Sequence, residues 1–440
     1  MCDQFFGNIP KVEEKMLYAD FWIENSFTSS RLISSLNEIE KFNNRCIDKG
    51  IIKNIFNIRN HLFKDELTEL IISISSTPTQ TLYKDNIKLD YNYFVNINKN
   101  LNLEKIRTIN TVKFGMFVRR TNMKVFPTDD RVFKGLEEYS LDRFMETAIN
   151  LCEPCAILHE SLDGQWYFVR IYNAMGWVRK KYVAIGKKDD IYNYTKHKDF
   201  LIVTGKRIYT LYNPLNKNIS LLPIDMGVKL PLVRNEEILK NVYDMDPTTA
   251  YVVWFPIKNK SGMLEFTQIL IPRNEDVNVG FLYYTEENIL KQAFKFLGER
   301  YGWGGEFFGR DCSSFVLDVF KTMGIYIPRN TKEQENINFG MVNVIEKNTF
   351  EEKKFILDNV LPGSVLYLEG HVVIYLGKYN NEYYIIHDTI GFYISRICNE
   401  AKGDLKYIKA NGVTLSPLTI TYTSNGENYI RAIRTIKTFI

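Results

Sequence analysis

One cysteine lies where a thiol would be reactive. In residues 301–320, YGWGGEFFGRDCSSFVLDVF, four glycines precede Asp311 and Cys312, and an apolar-periodic segment follows. This pattern predicts a helix with Asp311 as its N-cap and Cys312 in its first turn. Free backbone N–H groups and the helix dipole stabilise a thiolate there, so we expect a lowered pKa for the Cys312 thiol. Cys312 is therefore a candidate nucleophile, and a structural cysteine on a core helix is the alternative.

Two histidines could supply the remaining groups of a cysteine hydrolase. The chain has five histidines, and His371 and His387 are the two in its last 160 or so residues. Both lie in predicted strands, GHVVIYLG and EYYIIHD, joined by the turn KYNN. If the hairpin pairs about a centre near Tyr379, the imidazoles are cross-strand neighbours with Cβ atoms about 5 Å apart. His371 could then take the proton of Cys312 while His387 orients His371.

Length and composition indicate a large globular protein. The chain has 440 residues, of which 45% are hydrophobic and 14% aromatic. This length is more than one hydrophobic core usually organises, so several domains are expected. Lys and Arg number 56 against 52 Asp and Glu, and the two signs are interspersed, so no basic stripe for nucleic acid is present. No stretch approaches the roughly 18 to 20 apolar residues of a membrane span. We expect a monomer without an integral membrane segment.

The cysteine pattern leaves the compartment open. Six cysteines are too few to staple a chain of this length with disulfides. The N-terminus MCDQFFGNIPKVEEKM lacks the basic start and apolar run of a secretory leader. Cys2 directly follows the first Met, so it is either a lipid-carrying cysteine exposed by removal of a leader or an ordinary cysteine near the chain end.

Sequence patterns divide the chain into four blocks. Residues 1–105 read as helical, best at SSRLISSLNEIEKFNNRCIDKG, with Ser29 or Ser30 as the cap of that helix. Residues 106–188 and 189–280 show short alternating strands separated by turns, which predicts two small β-barrels. Residues 281–440 begin with a helix and end in strands, which makes this block α+β.

The segment CEPCAILH invites a metal interpretation. Cys152 and Cys155 have the spacing of zinc ligands, and His159 follows closely. A structural zinc site needs four ligands, and no second Cys/His pair lies near in the sequence. A turn entering a strand is the better interpretation. We therefore expect neither metal nor cofactor.

The motifs of the last block resemble those of the NlpC-type cell-wall peptidases, papain-like cysteine enzymes that cut peptidoglycan stem peptides. In order along the chain, they are YGWGG, DCSSF, IPRNTKEQ, LPGSVLY and HVVIYLG. The resemblance implies that Cys312 is the nucleophile, His371 the base and His387 the residue that orients the base. These are the roles that the residue pattern itself suggests.

The same resemblance implies a set of substrate-binding residues. Tyr301 is expected to line the site, and Asp311 and Ser313 to contact substrate. In one branch of the family these groups, with a hydroxyl after the P-R motif, hold the free amine of an N-terminal L-alanine. Thr331 occupies that hydroxyl position in PRNT.

The resemblance extends upstream more weakly. VRRTNMKVFPT, LDRFMETAI and WYFVRIYNAMGWV look like the first bacterial SH3-like barrel of that branch, and DFWIENSF and LNEIEKFNNR look like its helical N-terminal domain. It implies a multidomain α+β protein: a helical domain (1–105), two SH3-like barrels (106–188 and 189–280) and a papain-like catalytic domain (281–440). The chain departs from the pattern at CEPC, where relatives show Gly-Glu-Pro, and in a shorter approach from Trp303 to Cys312.

The function implied is that of a cysteine endopeptidase. It would hydrolyse the bond between γ-D-glutamate and the diamino acid of stem peptides, with a preference for a free N-terminal L-Ala. A papain-like amidase or acyltransferase with another substrate, and a non-catalytic wall-binding protein, are the alternatives. Cys312, His371 and His387 together argue against the non-catalytic one. We expect the cell envelope as the location, periplasmic or extracellular, with Cys2 as a candidate lipid anchor, or alternatively cytoplasmic muropeptide recycling.

Overall fold

The protein is described by a computed structural model covering residues 7–26, 28–395 and 405–439. Cys2 and Cys398 lie outside these residues. The chain forms two compact units. The first unit consists of Met1–Ile51, Leu282–Gly302 and Phe307–Ile440, and the second of Ile52–Phe281 and Trp303–Glu306. Residues 1–105 are thus shared between the two units, and the division into four domains stays a prediction.

The second unit is mainly β-structure. Its largest sheet has seven antiparallel strands, in the spatial order Val183–Gly186, Lys113–Phe117, Pro154–Glu160, Trp166–Arg170, Met175–Arg179, Thr121–Lys124 and Met145–Ile149. These strands fall on the segments where alternation predicts them. Its α-helices are Lys64–Ile74, Tyr91–Asn100 and Lys188–Thr195.

The rest of the second unit contains smaller sheets. Phe200–Val203 lies between Lys229–Pro231 and Val277–Val279. Paired strands are Arg207–Tyr209 with Pro223–Asp225, Ala250–Lys258 with Leu264–Pro272, His61–Phe63 with Ile109–Thr111, and Tyr83–Lys84 with Ile87–Lys88. Residues 189–280 therefore contain strands, as the sequence predicts. That these strands form a second barrel stays a prediction.

The first unit contains most of the last predicted block, residues 281–440. Its helices are Ala19–Glu24, Leu36–Asp48, Glu286–Phe294, α1 (Cys312–Lys321), α2 (Thr331–Glu335), Phe350–Leu357 and α3 (Tyr429–Ala432). Its main sheet consists of β1 (Met341–Val344), β2 (Val365–Leu368), β3 (His371–Tyr379), β4 (Glu382–Thr389), β5 (Gly412–Pro417) and β6 (Thr435–Thr438). The spatial order of these strands is β1-β6-β2-β3-β4-β5. A small sheet of Leu405–Ile408, Phe392–Ser395 and Thr421–Tyr422 and the pair Leu32–Ser34 with Tyr284–Thr285 complete the unit.

The first long helix begins later than predicted. Its cap is Ser35, whose side chain accepts from the backbone N–H of Glu38 in a capping box, and not Ser29 or Ser30. The residues just before it form a short strand instead of a first helical turn. The reason is that Ser35 and Glu38 satisfy two free N–H groups reciprocally, which neither earlier serine does with a Glu or Gln three residues on. Gly50 ends the helix region with a φ of 69°.

The histidine hairpin has a different register from the predicted one. The predicted centre near Tyr379 is wrong, because the chain turns at Asn380 and Asn381, which have φ values of 48° and 60°. Positive φ at both positions is typical of a two-residue hairpin turn that asparagine tolerates. A bulge near Gly377 then leaves Tyr375 opposite Ile385. In this register His371 and His387 are diagonal neighbours rather than direct partners.

Candidate active site

The nucleophile candidate is the first residue of α1. Asp311 caps this helix, since its Oδ1 accepts from the backbone N–H of Ser314 at 3.0 Å. The Cys312 Sγ lies 3.7 Å from the Thr331 Oγ1, at the start of α2. The backbone N–H of Val372, next to His371, also contacts the Cys312 sulfur. The structure therefore places Cys312, Thr331 and the start of the His371 strand together.

The pKa of the Cys312 thiol is raised, which contradicts the sequence prediction. Burial raises this pKa to about 12, and the negative charge of Asp311 adds to the effect. The Thr331 hydroxyl and the Val372 N–H oppose it with a smaller combined influence. Burial thus outweighs the helix N-terminus. The free site holds a thiol, and a base must remove its proton during the reaction.

His371 and His387 form a hydrogen-bonded pair. The distance from the His371 Nε2 to the His387 Nδ1 is 2.9 Å. The second nitrogen of His387, Nε2, lies 2.8 Å from the Ser416 Oγ in β5. His387 and Ser416 are fully buried. Three adjacent strands, β3, β4 and β5, therefore contribute one continuous chain of polar groups.

This chain of hydrogen bonds fixes which nitrogen can act as a base. Because the Nε2 of His371 is bonded to His387, its Nδ1 is the nitrogen left for the thiol. Nδ1 accepts a proton only if the neutral ring carries its hydrogen on Nε2 and donates to the His387 Nδ1. His387 then carries its hydrogen on Nε2 and donates to the Ser416 hydroxyl. The Ser416 hydroxyl can accept that bond, so the chain is compatible with His371 acting as a base through Nδ1.

Burial keeps both imidazoles neutral. It lowers the pKa of His371 to about 4. Burial and the neighbouring His371 also lower the pKa of His387. A neutral imidazole is the form that takes a proton from a thiol. The free site therefore pairs a neutral base with a neutral thiol.

Aromatic rings surround the two imidazoles. The Tyr429 ring, in α3, lies 6.3 Å from the His371 ring and 6.2 Å from the His387 ring, measured between centroids. Phe392 contacts His387 from another direction, with centroids 5.5 Å apart. The rings of Tyr429 and Phe392 are almost completely buried. They exclude solvent from the hydrogen bond between the histidines.

Asp311 is held by an arginine that the sequence interpretation missed. Arg329 donates to both oxygens of Asp311, at 3.0 and 2.6 Å, and to the Ser313 hydroxyl at 2.9 Å. Burial alone would raise the pKa of Asp311, but Arg329 and the bonds from Ser314 keep it below its usual value. Asp311 is therefore ionised, and Arg329 and the helix cap use both its oxygens. The P-R pair before Thr331 is the sequence signal that could have identified Arg329.

Tyr301 also lies near the nucleophile candidate. Its side chain is 8% exposed, and its backbone N–H donates to the carbonyl of Asn411 at 3.0 Å. Burial raises the pKa of its phenol, and the nearby charges of Cys312 and Asp311 add to this, so the phenol stays protonated. All seven predicted site residues thus lie in this region. The roles of these seven residues stay predictions. Three further residues lie at the site that no sequence motif identified: Ser416, Tyr429 and Phe392.

The CEPC segment takes a structural position. Cys152 and Cys155 are buried in two separate hydrophobic clusters. The Nε2 of His159 lies 3.1 Å from the carbonyl oxygen of Asn102. Among the described residues, no group of three or more His, Cys, Asp or Glu side chains is arranged to hold a metal ion. Nor does any helix in the described ranges have the length and apolar character needed to cross a membrane.

The start of α1 thus meets the strand that carries one member of the histidine pair, and comparisons with known proteins specify the class of protein. Residues 298–430 match the NlpC/P60 family, and residues 131–179 match the SH3 domain of the SH3b1 type. The chain therefore contains an NlpC/P60 domain and an SH3b domain in one multidomain α+β fold.

Two similar proteins are peptidases by name. The chain is 25% identical to a dipeptidyl-peptidase 6 of Lysinibacillus sphaericus over 50% of its own length and 72% of that protein. It is 31% identical to a gamma-D-glutamyl-L-lysine dipeptidyl-peptidase of Bacillus subtilis over 26% of its own length and 36% of the relative.

A solved structure shows the same fold across almost the whole chain. An NlpC/P60 endopeptidase from Photobacterium damselae subsp. piscicida superimposes with a TM-score of 0.75 at 17% identity, over 96% of each chain. At that identity the similarity concerns the fold alone. It extends well beyond the NlpC/P60 domain.

Substitutions along the histidine chain should lower peptide hydrolysis in a graded way. His371→Ala removes the base, so we expect a loss of kcat of about 10²- to 10⁴-fold. His387→Asn keeps one hydrogen bond and should cost less. Ser416→Ala removes a single hydrogen bond to His387, and about a two- to tenfold loss is expected. Steady-state kinetics on folded variants check the order, and equal tolerance of all three changes would show that the base lies elsewhere.

Proposed function

We propose that the protein is a cysteine endopeptidase that hydrolyses peptidoglycan stem peptides at the bond between γ-D-glutamate and the diamino acid. The observation that carries this proposal is that the Cys312 sulfur contacts the backbone N–H of Val372, next to His371, which begins the chain His371–His387–Ser416. The NlpC/P60 match and the names of the relatives support a peptidase of this kind. The bond itself is taken from the relatives' names and from the family resemblance.

The site can perform amide cleavage with its own residues. His371 takes the thiol proton on its Nδ1 as the Cys312 sulfur attacks the carbonyl carbon. The backbone N–H groups at the start of α1 have no partners within the helix and can stabilise the oxyanion. The protonated His371 then gives its proton to the leaving amine, which produces a thioester. Water, deprotonated by His371, hydrolyses the thioester and restores the thiol.

Removal of the nucleophile should abolish this reaction. Cys312→Ala should keep the fold, because it removes only the sulfur, whose one side-chain contact is the weak one to Thr331. Mass spectrometry of purified muropeptides after incubation with the wild type should show products cut after γ-D-glutamate, and the variant should give none. A chelator should leave wild-type activity unchanged.

Three kinds of result would contradict the proposal. Turnover by the folded Cys312→Ala variant would refute the cysteine mechanism. Products cut at another bond, or acyl transfer in place of hydrolysis, would favour the related amidase or acyltransferase. Binding of muropeptides without any product would favour a wall-binding protein.

We extend the proposal to substrate length: the enzyme prefers stem peptides already released from glycan. The amine of a free N-terminal L-Ala is expected near Tyr301, Asp311, Ser313 and Thr331, which the structure gathers around Cys312. A charge-assisted hydrogen bond to this amine is worth about 1.5 to 3 kcal/mol, or roughly ten- to a hundredfold in rate.

The preference can be measured with two matched substrates. Free L-Ala-γ-D-Glu-diamino acid peptides should be cleaved ten- to a hundredfold faster than the same stems attached to muramic acid, compared as kcat/KM. Equal rates, or faster cleavage of attached stems, would contradict the amine preference and leave the peptidase assignment intact.

A wall-peptide substrate also suggests where the protein acts. We propose the cell envelope, periplasmic or extracellular, because that is where stem peptides are exposed. Cys2, the candidate lipid anchor, lies outside the described residues. A preference for released peptides would instead suit cytoplasmic muropeptide recycling. Fractionation of cells, with detection of the protein in each fraction, distinguishes the two.

A further inference from the structure

A buried carboxyl group beside the site has no partner. Asp388 directly follows His387 in β4, and its side chain is 0% exposed. Neither of its carboxyl oxygens has a hydrogen-bond partner among the described residues. Buried acids are normally paired or hydrogen-bonded, because burying an unpaired charge is costly. The proposed mechanism does not use Asp388.

A cluster of paired charges acts on Asp388. It lies opposite Val413 in β5, and the Val413 N–H donates to the carbonyl of Glu299 at 2.9 Å. The Glu299 carboxylate pairs with Arg310 at 2.7 Å, and Arg310 also contacts Asp318 at 2.6 Å. The guanidinium that acts on Asp388, that of Arg310, is therefore engaged by two other carboxylates.

The nucleophile also lies within electrostatic range of Asp388. Asp311 caps α1 and pairs with Arg329, and its charge acts on Asp388. Cys312 and Tyr301 are close enough that a negative charge on Asp388 would raise the pKa of each. A permanent charge on Asp388 would therefore oppose formation of the thiolate.

The free protein avoids that charge. Burial raises the pKa of Asp388 well above its usual value, and the charges of Asp311 and Glu299 add to this, while Arg310 opposes it. Burial therefore favours the neutral acid form of Asp388 over the carboxylate. Asparagine would fill the same space without any ionisation to suppress. The property that distinguishes an acid here is that it can become negative when a cation arrives.

We propose that Asp388 is the counter-charge for an ammonium group of the substrate, and that it releases its proton to solvent as this group binds near Cys312. The proposal rests on the peptidase function proposed above. Asp311 is poorly suited to this role, because Arg329 already neutralises it. An ammonium near Asp388 gains a charge interaction that the interior screens only weakly. It also cancels the negative charge that would otherwise oppose the thiolate.

A stem peptide offers two such ammonium groups with the same chemistry. One is the α-amine of L-Ala in a released peptide, and the other is the side-chain amine of the diamino acid. Three peptides separate these sources: L-Ala-γ-D-Glu-L-Lys, the same peptide acetylated on the α-amine, and the same peptide acetylated on the lysine side chain.

Calorimetric titration of Cys312→Ala with the unmodified peptide tests the proposal. Measured at pH 7 in two buffers of different ionisation enthalpy, binding should release up to about one proton per peptide. Adding Asp388→Asn should abolish this release and weaken binding roughly ten- to a hundredfold. The loss caused by Asp388→Asn should shrink when the recognised amine is acetylated, which identifies its source. Asp358→Asn, at an exposed acid that pairs with Lys378 at 2.7 Å, is the matched control and should change neither quantity.

The outcomes separate this inference from the function on which it rests. Cleavage of the peptide by the wild type without proton release on binding to Cys312→Ala would overturn the role of Asp388 alone. An equal loss with all three peptides would do the same, because it would indicate a structural effect. A peptide that is neither bound nor cleaved would contradict both proposals.

Stability should report the unpaired acid independently. Because the folded pKa of Asp388 lies above the unfolded value of about 3.9, its contribution to stability falls as pH rises through that interval. Asp388→Asn should therefore raise the melting temperature at pH 7, with little gain near pH 4. A lower melting temperature at pH 7 would show that Asp388 has a stabilising partner, which would overturn the premise.

Discussion

The hydrogen bond between His371 and His387 is the interaction on which the site depends. It occupies the Nε2 of His371 and leaves Nδ1 as the only nitrogen able to accept the thiol proton. This bond has the required direction when His387 in turn donates to Ser416, whose hydroxyl can accept. The three residues lie on three neighbouring strands, so the sheet order β3-β4-β5 is a requirement of the chemistry.

Burial is the second constraint: it lowers the pKa of both histidines and raises the pKa of Cys312. It keeps the imidazoles neutral, which suits a base, and it raises the pKa of Cys312, which makes that base necessary. The pair of Arg329 and Asp311 fixes the start of α1 so that the sulfur stays in place. A reaction that begins from neutral groups avoids a permanent ion pair in a poorly solvated site.

The sequence predicted the catalytic elements well because their signals are local. An aspartate before an apolar-periodic run identifies the helix start at Cys312, and alternation identifies the strands of both histidines. The hairpin register was mispredicted because the turn at Asn380 and Asn381 and the bulge near Gly377 shift the pairing. The prediction of a lowered pKa for Cys312 was wrong, because the sequence shows the start of the helix and does not show the burial of the thiol.

Residues that contribute through tertiary packing could not be predicted. Ser416 lies in a strand with no motif and becomes relevant only because β5 pairs with β4. Tyr429 reaches the histidines from a four-residue helix near the chain end. Asp388 reads as an ordinary polar residue at the end of a strand. Its significance appears only when its burial and lack of a partner are known.

The pH dependence of Cys312 alkylation tests the central claim, that the free site holds a neutral thiol and a neutral imidazole. Iodoacetamide reacts with thiolates, and peptide mass spectrometry distinguishes Cys312 from the other cysteines. The rate at Cys312 should rise continuously with pH above 8 and stay low between pH 5 and 7. A rate that is already high and constant from about pH 5 would reveal a preformed thiolate–imidazolium pair and contradict this account.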